Sequence, residues 1–251
     1  MGRSPSRNNL FFGPNMIREH FEHKQTITTI LADDQAHIEA AKAGMLAARH
    51  GLEAFLFKDP YFGVTFEPYD PPAGSRTVQR MGAASVSAGV GPMAAVAGTI
   101  AWAGAEAMQD AGASFGVVDN GGDIALFSDR EVRVGIHAGA SPFSDRLAFL
   151  VRPQEEILGI CTSSATVGPS ISFGVADAVC IFSRDVSLAD AWATALCNSL
   201  LPGAEEPFAA LEGTGVMGAI AIIGEAVMTW GDLPPIAGAS VDPSLITRGE
   251  P

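Results

Sequence analysis

The sequence predicts an α+β domain in which one architectural pattern occurs twice. A strand, a run of small residues, an alanine-rich helix and a hairpin follow one another between residues 61 and 137. The same succession returns between residues 157 and 230. Apolar residues recur every three to four positions in the helical stretches and gather in short β-branched runs between them. Asn120-Gly121-Gly122-Asp123, a tight polar knot between two apolar runs, supplies the strongest short-range hairpin signal. Identity between the halves is too low for a sequence repeat, so the duplication is one of architecture.

Taken in order, residues 1–20 carry Pro5, Pro14 and no periodicity, and are expected to form a flexible arm. Residues 21–235 are expected to form a single domain of two similar halves, and residues 236–251 an irregular tail after Pro234-Pro235. The Thr- and Ile-rich residues 25–31 suit a strand. Asp33 and Asp34 then cap a long helix whose Ile38, Ala41, Met45, Ala48, Leu52 and Phe55 share one face. Pro60 ends it, because proline excludes the helical conformation from the residue before it. Residues 61–66 read as a strand and 68–74 as a turn-rich connection.

From Val78 small residues dominate, through Gly89-Val90-Gly91-Pro92-Met93. Pro92 fits the first turn of a helix over residues 94–108, where its missing N–H is no loss. Gly98 and Gly104 let a neighbouring element approach that helix closely. Residues 115–127 follow as strand and turn, with residues 132–137 as the expected partner. In the second half, residues 157–161 and 176–182 read as strands. Ser187-Leu188-Ala189-Asp190 opens a helix over residues 187–200 with Ser187 as its cap. Residues 218–223 and 226–230 pair through a Gly224-Glu225 turn.

With 47% hydrophobic and 17% charged residues in 251, the chain is globular and can bury a substantial core. A net charge of −13 argues against nucleic acid as a primary partner, since phosphate backbones need clustered Lys and Arg. A nucleotide held by backbone amides and a divalent cation stays compatible. Cys161, Cys180 and Cys197 are odd in number and lie in apolar runs, which fits buried thiols in a reducing compartment. The absence of a secretory signal or a membrane-length apolar run leads to the expectation of a cytoplasmic protein without a membrane partner.

Several residue groups could carry chemistry. Asp119 to Asp123 form either a plain hairpin turn or one that lines a pocket, since Gly121 and Gly122 let another group approach the backbone. Asp190 and Thr194, four apart on one helical face, could share a hard cation such as Mg²⁺ with ligand phosphates, or serve only the helix start. Thr162, Ser163, Ser164 and Thr166, ahead of Gly168-Pro169, offer hydroxyls for a ligand or for turning the chain. Gly89-Val90-Gly91 at a helix start offers N–H groups to a phosphate, without the residues of a Walker loop. Gly112-Ala113-Ser114-Phe115-Gly116 fits a G-x-S-x-G pattern but lies before a strand, the reverse of a nucleophile elbow. His20 and His23 are expected to be solvated, and His137 is the one histidine placed for a pocket rim.

In their order, Asn120-Gly121-Gly122-Asp123, Thr162-Ser163 and Ala189-Asp190-Ala191-Trp192-Ala193-Thr194 resemble motifs of the ApbE-like superfamily. Its best-known members are magnesium-dependent FAD:protein FMN transferases. Gly91-Pro92-Met93-Ala94-Ala95 and Val118-Asp119-Asn120-Gly121-Gly122-Asp123 are similar to an uncharacterised bacterial and archaeal branch of it, over roughly residues 21–230. The resemblance implies a duplicated T-fold with antiparallel sheets packed against long helices, and a flavin pocket (FAD or FMN). Asn120, Gly121, Gly122 and Asp123 would line that pocket, and Gly91, Pro92, Met93, Thr162, Ser163 and Ser164 are the further candidates for ligand binding. It also implies Mg²⁺ on Asp190 and Thr194; if the protein is a transferase, Asp123 and Asp177 are the candidates for orienting or deprotonating an acceptor. T-fold relatives that assemble through sheet edges make a homo-oligomer compatible. The chain departs from the transferases in two places. It lacks their Gly-Gly-x-x-Lys-Gly lysine, and it carries Ser172-Phe173-Gly174-Val175-Ala176-Asp177-Ala178 where they have a longer insertion.

Overall fold

A computed structural model describes residues 16–165, 175–201, 206–241 and 247. Strands β1 (Ile17–His23) and β2 (Thr26–Ala32) form a hairpin, followed by helices α1 (Gln35–Lys58), α2 (Arg76–Ala88) and α3 (Val96–Asp110). A second hairpin, β3 (Gly116–Asn120) and β4 (Asp123–Ser128), completes the first half. After β5 (Val132–Gly135) and β6 (Leu147–Val151) the pattern returns as β7 (Gln154–Ser163), β8 (Ala178–Ser183), α4 (Val186–Ser199), β9 (Val216–Ile223) and β10 (Ala226–Gly231). The short β11 (Ile236–Gly238) follows.

The two halves join edge to edge into one eight-stranded antiparallel sheet, β1-β2-β3-β4-β7-β8-β9-β10, bringing β4 of one half beside β7 of the other. Side chains alternate across that sheet. Val118, Ala125, Phe127, Cys161, Val179, Ile181, Ala219 and Ala221 face the helices, while Leu126, Ile160, Phe182 and Ile220 face a three-stranded sheet, β11-β6-β5. Phe149 and Phe182 meet edge-on there at 4.8 Å. Both faces are buried, which is why several strands read as continuous apolar runs.

Local chemistry accounts for most boundaries. Asp34 caps α1 by accepting the Ala36 N–H at 2.8 Å, and α1 ends at Lys58 ahead of Pro60. The α1–α3 contact depends on missing side chains, since a Cβ on Gly104 would stand 2.9 Å from Met45 Cγ and one on Gly44 2.6 Å from the Ala103 carbonyl oxygen. Gly121 and Gly122 have φ of +70° and +102° inside a two-residue turn that pairs Asn120 with Asp123. No atom lies within 4 Å of a Cβ built on Gly122, so Gly122→Ala should cost about 1–2 kcal/mol through backbone strain alone. A chemical denaturation midpoint equal to wild type would contradict that expectation.

Several elements differ from the sequence reading. Residues 17–20, within the expected arm, belong to β1, and His20 and His23 sit on that strand. Residues 60–63 make a short 3₁₀ turn rather than a strand, because Pro60 fixes φ and offers no N–H to a ladder. α2 is an unforeseen helix, capped by Ser75 and stopped by Gly89 in the left-handed conformation. The small residues of this stretch hid it. They serve close packing, since a Cβ on Gly82 would stand 2.6 Å from Asp70 Oδ1. β5 pairs with β6 in the smaller sheet and not with β4. Asp185, ahead of the expected Ser187, caps α4 by accepting the Leu188 N–H at 2.9 Å. Within the expected tail, β11 pairs with β6, and the Thr247 hydroxyl bonds to Asp119 at 2.5 Å.

Candidate functional site

Where the halves meet, the turn between β3 and β4, the start of α3 and the first turns of α4 converge on the helix side of the sheet. Asn120 ends β3 facing the helices and donates its Nδ2 hydrogen to the Ala97 carbonyl at 3.0 Å. Asp190, buried on α4, accepts the Gly98 N–H at 2.7 Å and is also bonded by the Ala97 N–H. These N–H groups lie in the first turn of α3, where no intrahelical acceptor exists and the helix dipole favours a negative charge. Asp190 thus caps a helix of the opposite half. Gly98 permits this, since a Cβ there would stand 2.9 Å from both Asp190 Cβ and the Val186 carbonyl oxygen.

Asp123 begins β4 on the same side and keeps part of its surface open. Its Oδ1 accepts the Thr162 N–H at 3.3 Å, and the Cys161 thiol beside it donates to the Val186 carbonyl at 3.6 Å. Desolvation holds Asp123 well above the usual carboxylate range, reinforced by the charges of Asp190 and Asp119. Asp190 is pushed up to about 7 by burial, against the pull of the Gly98 and Ala97 N–H groups. Burial, with both carboxylates beside it, also drives the Cys161 thiol well up, so this cysteine stays a neutral donor. No lysine or arginine among the described residues bonds to Asp123 or Asp190.

The other residues singled out from the sequence fall around this cluster unevenly. Ser163 shares the helix-facing side with Cys161 by alternation and is buried. Thr162 faces the opposite side, where its hydroxyl donates to Cys180 Sγ at 3.1 Å; only its backbone reaches Asp123. Ser164 is half-buried beyond β7, while Thr166, Gly168-Pro169 and Ser172-Phe173-Gly174 lie outside the described residues. Thr194 is half-buried one turn beyond Asp190 on the same side of α4. Pro92 is buried and Met93 half-buried in a 3₁₀ turn leading into α3. Gly89 serves as the stop of α2, and Gly91 lets Thr65 approach, since a Cβ there would stand 2.0 Å from the Thr65 carbonyl oxygen. Asp177 is placed apart. Its Oδ2 accepts the Gly224 N–H at 2.7 Å beside β9, with β7 and β8 between β9 and β4. His137 bonds through Nδ1 to Asp145 at 3.0 Å in the loop after β5.

Cys161, Ala97 and Gly98 were not foreseen as part of the cluster. Gly98 carried a signal, as a glycine in the first turn of an otherwise alanine-rich helix. Among the described residues no group of three or more His, Cys, Asp or Glu gathers to hold a metal. A pair of carboxylates with a neighbouring hydroxyl suits Mg²⁺, which keeps waters and takes one or two carboxylates together with ligand phosphates.

This arrangement of sheet and helices is the ApbE fold. The flavin transferase ApbE from Vibrio cholerae matches 86% of this chain and 96% of its own, with a TM-score of 0.55 at 13% identity. The apo flavinyl transferase ApbE of Pseudomonas stutzeri matches 86% and 94%, with a TM-score of 0.54 at 11% identity. Within that class the chain belongs to the family described as "AbpE bacteria", whose model matches residues 11–210. Its relatives include a "UPF0280 protein" of Methanoculleus marisnigri, 64% identical over 93% of this chain and 96% of that one. Another, from Methanosphaerula palustris, is 59% identical over 94% and 99%. Among the described residues, no single helix is long and apolar enough to cross a membrane.

Proposed function

We propose that the protein binds a flavin-class nucleotide together with Mg²⁺ at the junction of its two halves, and that any chemistry it performs is transfer of the nucleotide moiety. The observation that carries this reading is the carboxylate pair Asp123 and Asp190, gathered from opposite halves with raised proton affinity and no cationic side chain bonded to either. Asp190 and Thr194 would hold the cation, and the Asn120–Asp123 turn would present backbone to the ligand. Bound Mg²⁺ would supply positive charge to the pyrophosphate oxygens as charge develops on them. Asp123, partly open and already high in proton affinity, would orient an acceptor hydroxyl or take its proton. The remote position of Asp177 favours Asp123 in that role.

A second reading is a ligand-binding protein that kept the fold without the transfer reaction. The helix start Gly91-Pro92-Met93-Ala94-Ala95-Val96 supports it, because the lysine of the transferases has no counterpart there. Calorimetry with FAD and with FMN, each with and without Mg²⁺, separates the readings. Flavin binding strengthened by Mg²⁺ is expected. Release of AMP from FAD would select the first reading, and Mg²⁺-assisted binding without turnover, in the presence of acceptor peptides, the second. Absence of flavin binding under every condition would reject the flavin assignment.

A further inference from the structure

The end of α1 and the segment after it leave large apolar side chains in solvent. Phe57 is 89% exposed, Tyr61 53%, Val64 71% and Phe66 71%. On α2, Val86 is 55% exposed. These residues are held together by backbone. The Tyr69 N–H donates to Ser85 Oγ at 3.0 Å, next to Val86. Gly91 lies so close to residues 65 and 66 that a Cβ on it would stand 3.0 Å from Phe66 Cα. The segment is also braced from beneath, where Phe62 is buried between Phe55 and Tyr69 with ring centroids 5.2 and 6.1 Å away. The exposed rings therefore stand on a fixed platform.

We infer that this face is a homodimer interface, occupied by the same face of a second copy of the chain. The three aromatic side chains alone leave roughly 400 Å² in solvent, and the two valines enlarge the patch. Monomeric proteins seldom expose a contiguous apolar patch above a few hundred Å². A standard interface removes about 800 Å² from each partner, a little over half of it apolar, so the patch has the area that the apolar part of such an interface needs. The rim suits self-association. Lys58, Glu67 and Asp70 are all exposed in the same stretch of chain, so the patch carries both signs of charge and a two-fold pairing can set Lys58 of each copy against an acidic residue of the other. The patch abuts Gly91, immediately before the turn that leads into α3, so each copy would stand beside the approach to the other's candidate site.

The net charge of −13 sets the salt dependence. Two such chains repel at long range, so added salt strengthens an apolar dimer, whereas it weakens docking of a basic partner protein. Sedimentation equilibrium of the full chain is expected to give twice the 26.0 kDa mass, with tighter association as NaCl is raised. The double variant Phe57→Glu/Phe66→Glu should weaken association at least roughly tenfold while leaving circular dichroism and melting unchanged. Should that variant unfold, Val64→Cys provides a second reading. The native thiols are buried, so a disulfide joining two chains of that variant under mild oxidation is expected only if the patches face each other. A monomer at every concentration and salt would overturn the inference. So would a dimer that persists in the folded double variant, or one that salt disrupts.

Discussion

Replacing Asp190 with alanine should abolish the Mg²⁺ dependence of flavin binding and loosen the first turn of α3. Loss of the cap alone should cost about 1 kcal/mol, and Asp190→Asn, which can still accept the Gly98 N–H, should recover most of that without restoring the cation effect. The same residue sets a pH dependence. Its affinity for a proton is raised by burial to about 7 from an unfolded value of 3.8. Between those values the folded protein holds a proton that the unfolded chain releases, so stability falls as pH rises through that window and stays low above it. Asp119 and Asp123, also raised by burial, add slopes of the same sign. The total should be on the order of 2–4 kcal/mol, because the paired carboxylates share protons. Without divalent cations, thermal melting should be higher at pH 5 than at pH 8. Asp190→Asn should flatten the difference, and Mg²⁺ should restore stability at pH 8. A wild-type melting temperature independent of pH would remove the buried pair from the account.

The second large effect is expected at Gly98. An alanine there would put its Cβ 2.9 Å from Asp190 Cβ and from the Val186 carbonyl oxygen, both fixed parts of α4. Relief requires the α3–α4 crossing to open, at a cost of about 1–3 kcal/mol, or several degrees of melting temperature for a domain of this size. The shift also pulls Asp190 from its N–H partners, so Gly98→Ala should weaken cation-dependent binding more than its stability loss explains. Gly238→Ala, with no atom within 4 Å of the added carbon, is the control and should melt as wild type. Equal melting of the two variants would mean that the crossing yields without strain.

Much of the site was legible because its parts are local. Asn120-Gly121-Gly122-Asp123 declares a turn by glycine chemistry, and Asp190 with Thr194 declares a shared helical face by spacing. The turn is the two-residue hairpin that Asn-Gly announces, and its Asn120 and Asp123 lie on the side of the sheet that faces the start of α3. The direction of the Thr162 hydroxyl was not legible, because strand alternation places it on the side away from the cluster and only neighbouring strands fix which side that is. α2 escaped notice because its small residues answer to close packing against residues 70 and 71, which periodicity does not register.

By itself the sequence determined the helix and turn boundaries set by Asp34, Pro60 and the glycine pair, the α+β class, and the net charge of −13. These follow from backbone preferences and composition, which act within a few residues or over the whole chain. Only the tertiary structure decided that β4 of one half lies beside β7 of the other and that Asp190 caps a helix from the opposite half. It also placed Asp177 away from the pair. Those outcomes depend on strand register and helix crossing between segments far apart in the chain, where one residue of slip would turn every side chain to the other face.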